Sequence, residues 1–124
     1  MQIPEELKYT KDHEWARIES DVATIGITDF AQSELGDIVY VELPQVGDET
    51  AQGESFGTIE AVKAVSDMFA PLSGEVVEVN DKIVDNPEII NKEPYGEGWF
   101  IKIKMSDPTE VNNLLDKEQY EELI

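Results

Sequence analysis

The sequence predicts a mostly β protein, a flattened barrel or sandwich with a quasi-two-fold axis. Two observations carry that prediction. Short runs of alternating apolar and polar residues recur along the chain, each bounded by turn-forming residues; this is the pattern of half-buried strands. Two such β units of similar layout also flank a single residue, Lys63. Their likeness lies in pattern and not in identity, and it puts Lys63 at the tip of the hairpin joining the halves.

The elements follow in order. Residues 14–18 and 22–27 alternate well enough for a hairpin, with Glu19-Ser20-Asp21 as its turn. Residues 28–36 read as one short helix. Thr28 is a good N-cap, Asp29 complements the helix dipole, and Gly36 suits the C′ position. A strand over 37–43 stops at Pro44. After a turn at Val46-Gly47-Asp48-Glu49, the strand 55–60 leads to Lys63, and residues 67–70 lead away. Pro71-Leu72-Ser73-Gly74 turns the chain into a strictly alternating strand, 75–79. Asp85-Asn86-Pro87 marks a further turn followed by extended chain, and 99–105 is the last strand. The C-terminus reads as helical. Asp107-Pro108-Thr109-Glu110 offers an N-cap, a proline at N1 and a capping-box acid. Val111, Leu114 and Leu115 form an apolar stripe, and a break near Asp116-Lys117 leaves room for a second short helix.

No Pro/Gly-rich linker or low-complexity stretch divides the chain, so residues 1–124 are expected to form one domain, with a core over about 7–105 and a helical segment over about 107–123. A domain of this size buries roughly two-thirds of the surface its unfolded chain exposes. The 28 acidic and 9 basic side chains give a net charge of −19. That balance disfavours nucleic acid, whose phosphates need Lys and Arg to displace counterions, and it favours cationic ligands or partners with basic faces. No apolar run approaches the roughly 20 residues that span a bilayer. The acidic start lacks the basic and apolar stretches of a secretory signal and the arginines of a transit peptide. The expected location is therefore cytoplasmic, or an organellar matrix for an already processed chain.

Enzymatic chemistry is hard to assemble from these residues. There is no cysteine, and His13 is the only imidazole, without a nucleophile-elbow pattern anywhere. A zinc site would need further nitrogen or sulfur ligands, and no spacing singles out a pair of carboxylates. Phe56, Phe69, Trp15 and Trp99 read as core. Lys63 is different: it is the only cationic side chain between Arg17 and Lys82. Its residue type and small neighbours allow two readings. One is a surface lysine paired with Glu60 or Asp67. The other is an acceptor acylated by a separate enzyme, since its acidic setting does not suit a Schiff-base lysine.

The words around Lys63 separate these readings. Gly57-Thr58-Ile59-Glu60-Ala61-Val62-Lys63-Ala64, followed by Ala70-Pro71-Leu72-Ser73-Gly74-Glu75-Val76, resembles the lipoyl/biotinyl carrier superfamily, which displays an acceptor lysine on a hairpin before a Pro-x-Ser-Gly turn. Biotin carriers flank that lysine with methionines, and 2-oxoacid dehydrogenase lipoyl domains usually have Asp before it. Here Val62 and Ala64 flank it, and Glu-x-Val-Lys-Ala is similar to the H proteins of the glycine cleavage system. Residues 8–15, 23–28 and 35–39, together with Pro94-Tyr95, Gly98-Trp99 and the terminal helix, resemble the same family in the same order.

The resemblance implies a lipoyl-domain-like barrel-sandwich hybrid and a carrier, not an enzyme. It implies lipoate in amide linkage on Lys63, with Glu60 read by the lipoylating enzyme. In the family, the oxidised lipoyl group accepts an aminomethyl group from a pyridoxal-phosphate glycine decarboxylase. A tetrahydrofolate-dependent aminomethyltransferase then takes the one-carbon unit, and dihydrolipoamide dehydrogenase reoxidises the dithiol. The lipoate-attaching enzymes are the remaining partners. A cleft is expected to shelter the arm's cationic end, with Glu14 as its main contact and Asp67 and Asp12 as further ones. A second role compatible with the same lysine is an H-like relay that passes lipoate to other lipoyl domains.

Overall fold

The computed structural model describes residues 1–124, folded as two antiparallel sheets. The larger has the strand order β1 (Lys8–Tyr9), β2 (Glu14–Glu19), β3 (Val22–Ile27), β9 (Ile101–Met105), β8 (Gly74–Val79) and β5 (Glu49–Thr50). The smaller is β4 (Ile38–Glu42), β6 (Ser55–Ala61) and β7 (Val65–Phe69), with β6 central. Both sheets stay open, so the sandwich form of the expectation is the one observed. Their facing sides share one core, in which Ile25, Val76, Ile101 and Ile103 of the large sheet join Val41, Ile59 and Met68 of the small one. Each such side chain contributes on the order of 1.5–3 kcal/mol through burial.

The sequence signals act where expected in the first half. Ser20 turns the β2–β3 hairpin in a left-handed conformation (φ 62°). Helix α1 (Asp29–Leu35) begins at Thr28, whose hydroxyl accepts from the Ala31 N–H, and ends at Gly36 (φ 81°). Gly74 has a different reason to be glycine. A Cβ there would sit 2.1 Å from the Lys104 carbonyl oxygen, so β8 and β9 approach each other only because that atom is missing.

Three expectations are corrected. The chain does turn at Asp85-Asn86-Pro87, but the turn joins two five-residue helices rather than leading into extended chain: α2 (Asp81–Asp85) and α3 (Glu88–Lys92), which bury Ile83 and Ile90. Asn80 organises this turn of chain: its Oδ1 accepts from the Lys82 N–H while its amide donates to the carbonyls of Glu97 and Trp99. The segment after Asp107 is a 3-10 helix, Pro108–Asn113, and Glu110 does not close a capping box. Its carboxylate instead accepts from the Ser73 N–H and hydroxyl, both at 2.8 Å, fastening the C-terminal segment to the turn before β8. The capping box lies further on, between Asp116 and Gln119, at the start of α4 (Lys117–Leu123). Finally, of the four aromatics expected in the core, Trp15 is fully buried and Phe56 and Trp99 are partly buried against the two apolar clusters, whereas Phe69 belongs to neither.

Helix α4 matters for position. Its one buried residue, Tyr120, stacks on Tyr9 at 4.7 Å and completes a small second cluster with Leu7 and Trp15. The C-terminus is thereby packed against β1 and the beginning of β2, where Glu14 lies.

Candidate functional site

Lys63 occupies a tight turn between β6 and β7. The Ala61 N–H donates to the Ala64 carbonyl at 2.8 Å, and the Val62 N–H donates to the Asp37 carbonyl at 3.0 Å. The second bond ties the tip to the chain just before β4, so an exposed turn is held by its own backbone. Lys63 is exposed and takes part in no ion pair; pairing with Glu60 or Asp67 is not what the fold provides. Its stem lies over Gly36, where a Cβ would be 3.4 Å from Lys63 Cε. The lysine therefore leans along the end of α1.

The residues preceding Gly36 wall a cleft. Ala31, Glu34 and Leu35 of α1 line it on one side, Ile27 and Ile59 form its floor, and Ser66, Asp67 and Met68 of β7 close the other side, with Asp12, His13 and Glu14 at one end. Its volume is about 170 Å³. A larger cleft of about 380 Å³ lies beyond Asp12 and Glu14, toward Gln52, Pro71 and Leu114. The smaller cleft is the one beside the lysine, because its walls adjoin Gly36 and the two strands that carry the hairpin.

Glu14 is the buried acid at this end, 2% exposed. The Thr10 hydroxyl, which itself accepts from the Asp12 and Glu14 N–H groups, donates to Glu14 Oε1 at 2.5 Å. The Phe69 N–H donates to Oε2 at 3.2 Å. Burial pushes the Glu14 carboxyl up to about 7, against the opposing pull of those two hydrogen bonds. The site thus holds a carboxyl poised to ionise, with donors already arranged for the anion. An entering cation would complete that change.

His13 (φ 71°) serves the architecture. Its Nδ1 is 2.8 Å from the Tyr120 hydroxyl, which is 2.7 Å from the Thr28 hydroxyl that caps α1. Burial lowers the tendency of His13 to protonate. One hydrogen-bonded chain thus joins α4, the turn at His13 just before Glu14, and the cap of the helix that walls the cleft.

The other expected residues divide. Asp12 is exposed at the rim. Asp67 borders the cleft from β7, but it is exposed and strand alternation puts its side chain with Val65 on the sheet's outer face. Glu60 is not in the cleft. It stands on that outer face, opposite in sense to its neighbour Ile59, which is core. Sequence reasoning missed Glu34 and Ser66, which line the small cleft, and Thr10, which bonds Glu14 but lines the larger cleft. Only Glu34 had a signal, since Ala31, Glu34 and Leu35 fall on one face of a helix.

A lysine displayed on a braced hairpin, beside a largely apolar cleft ending in a buried acid, suits the class of carrier proteins that hold a group on one side chain. The cleft's chemistry fits an acylated lysine: apolar walls for the arm and a carboxyl for a cationic end. The family model for the glycine cleavage H-protein matches residues 7–124, and the chain belongs to that family. It is 52% identical over 122 residues to a glycine cleavage system H protein of Carboxydothermus hydrogenoformans, covering 98% of this chain and 94% of that one. It is 53% identical over 120 residues to another from Halothermothrix orenii, covering 97% and 94%. A crystal structure of a glycine cleavage system H protein from Mycobacterium marinum superposes with a TM-score of 0.89 at 42% identity, covering 95% of each chain.

Proposed function

We propose that this chain is the lipoyl-carrying shuttle of a glycine cleavage system, with lipoate in amide linkage to Lys63. The observation that carries the reading is the exposed, unpaired Lys63 lying over Gly36, at the end of the helix whose Ala31, Glu34 and Leu35 line the cleft that also takes in Glu14. When bound, the lipoyl group supplies a dithiolane that takes up and releases the aminomethyl unit of glycine and is then reoxidised.

The chain's own residues do the rest. The braced turn presents Nζ to an acylating enzyme, with Glu60 one cross-strand row below as a recognition point. Ile27, Ala31, Leu35 and Ile59 keep water from the arm, and Glu14 faces the cationic end, with Asp12 and Asp67 at the rim. A carboxylate held in a poorly hydrated cleft attracts a cation more strongly than one in bulk water. Residues 1–124 act as one domain in this reading. Its partners are the glycine decarboxylase, the aminomethyltransferase, dihydrolipoamide dehydrogenase and a lipoate-attaching enzyme, in the cytoplasm. No helix is long and apolar enough to cross a membrane.

Intact-mass measurement of protein from lipoate-competent cells tests the attachment. The expected result is one lipoyl increment, absent in Lys63→Arg. A biotinyl increment, or none, would overturn the proposal.

A further inference from the structure

The face of the small sheet turned away from the core carries a patch that neither the cleft nor the acceptor lysine explains. Register places Tyr40, Glu60 and Val65 side by side in one cross-strand row, because Tyr40 pairs with Glu60 and Glu60 with Val65. Tyr40 is 47% exposed, Val65 64%, and Val62, at the tip, 74%. Val39, at the register shift in β4, is exposed as well. Tyr40 and Val65 thus stand in solvent on either side of one carboxylate, with Val62 exposed at the tip above them. The next row on the same face is Glu42, Thr58 and Asp67, so the apolar group is rimmed by acids.

We infer that this row is the docking surface for the enzyme that acylates Lys63, and that Tyr40 and Val65 are its apolar anchors on either side of Glu60. The inference rests on the reading of Lys63 as the acceptor and deepens it.

The occupant follows from geometry. Enzymes that act at the far end of an arm can do so at a distance from the hairpin. An enzyme that forms the amide must bring the activated acyl carbon of its donor to Nζ, which attacks it, expels the leaving group and loses a proton. Its active site therefore has to enclose the tip. The Tyr40–Glu60–Val65 row lies directly beneath that tip, with neighbouring strands about 5 Å apart, and is covered whenever the tip is enclosed. Charge selects the partner's chemistry. Glu60, Glu42 and Asp67 within a chain of net charge −19 call for an apolar bay edged by Lys or Arg. The two components should separate with ionic strength: acids steer the encounter over long range, whereas Tyr40 and Val65 act only on contact.

The test is steady-state lipoylation of the lipoate-free full chain by a purified lipoate-attaching enzyme, at low and high salt. The double variant Tyr40→Ser/Val65→Ser is expected to raise KM about tenfold at both salt concentrations, a loss on the scale of modest interface anchors. Glu60→Gln is expected to raise KM chiefly at low salt. Val77→Ser, an exposed valine on β8 in the other sheet, is expected to leave KM unchanged. Thermal melts identify any variant whose fold has failed, and Tyr40→Thr/Val65→Thr then replaces the double variant. A double variant that melts normally and keeps the parental KM overturns the docking surface, as does an equal rise in Val77→Ser. Failure of the parent chain to be lipoylated at all would instead overturn the assignment of Lys63.

Discussion

The hairpin tip and the cleft beside it are built on opposite principles. Lys63 is exposed, unpaired and held only through the backbone of its turn. Glu14 is buried, receives two hydrogen bonds, and is packed against a network that reaches the C-terminal helix. Under the proposed function Lys63 has to be reachable by another enzyme's active site, and its minimal surroundings suit that. Under the same proposal the cleft has to exclude water and be arranged before the arm's end arrives, and the burial and fixed donors of Glu14 suit that. The two meet at Gly36, where the lysine stem crosses the end of the helix that walls the cleft.

The largest test of this contrast is Lys63→Arg. It should abolish acylation completely while leaving the melting temperature within about a degree or two, because exposed surface changes lie within about 0.5 kcal/mol. A marked loss of stability would mean the lysine is structural after all.

Glu14 should show the opposite balance. Its carboxyl rises from 4.5 to about 7 on folding, so between those values the folded chain holds a proton that the unfolded chain has released. The resulting stability is fully present below 4.5 and is lost as pH rises through 7, a swing of about 3 kcal/mol. His13, whose protonation is disfavoured by burial, works in the other direction. The measurement is therefore denaturant unfolding of the parent chain against Glu14→Gln, which keeps His13. The parent should lose stability relative to the variant between pH 5 and pH 8.

Gly36→Ala probes the junction. With φ 81° and ψ −157°, an alanine is expected to cost about 2 kcal/mol in backbone strain, read as a lower denaturation midpoint with lipoylation intact. Tyr120→Phe is the smallest change, about 1 kcal/mol for the lost bonds to His13 and Thr28. Hydrogen exchange should then quicken in α4 and at the start of α1, and not at the hairpin tip.

Legibility in the sequence followed how local each signal was. The β2–β3 hairpin, α1 with its caps, the strands around Lys63 and the break before α4 were written in turn and cap residues. Helices α2 and α3 were not. Five residues are too few to show a helical period, and Ile83, Val84, Ile89 and Ile90 favour a strand reading by propensity. The tiny β1 and β5 exist only through their partners. Glu110 fitted a local capping rule, yet its carboxylate is committed to Ser73, 37 residues away. For the candidate site, resemblance pointed to Lys63 and Glu14, and isolation in charge also pointed to Lys63. The hydroxyl of Thr10 that orients Glu14, and the outward facing of Asp67, depend on tertiary packing and strand register.

The most direct test of this division of labour is a carboxyl-carbon NMR titration of Glu14 in the lipoylated chain, with the arm unloaded and with its end carrying an amine. The unloaded protein should titrate near 7, and the amine-loaded protein lower by about one unit or more, as expected for a carboxylate that gains a nearby cation. An ordinary carboxylate midpoint in the unloaded chain, or the same midpoint in both forms, would contradict the account.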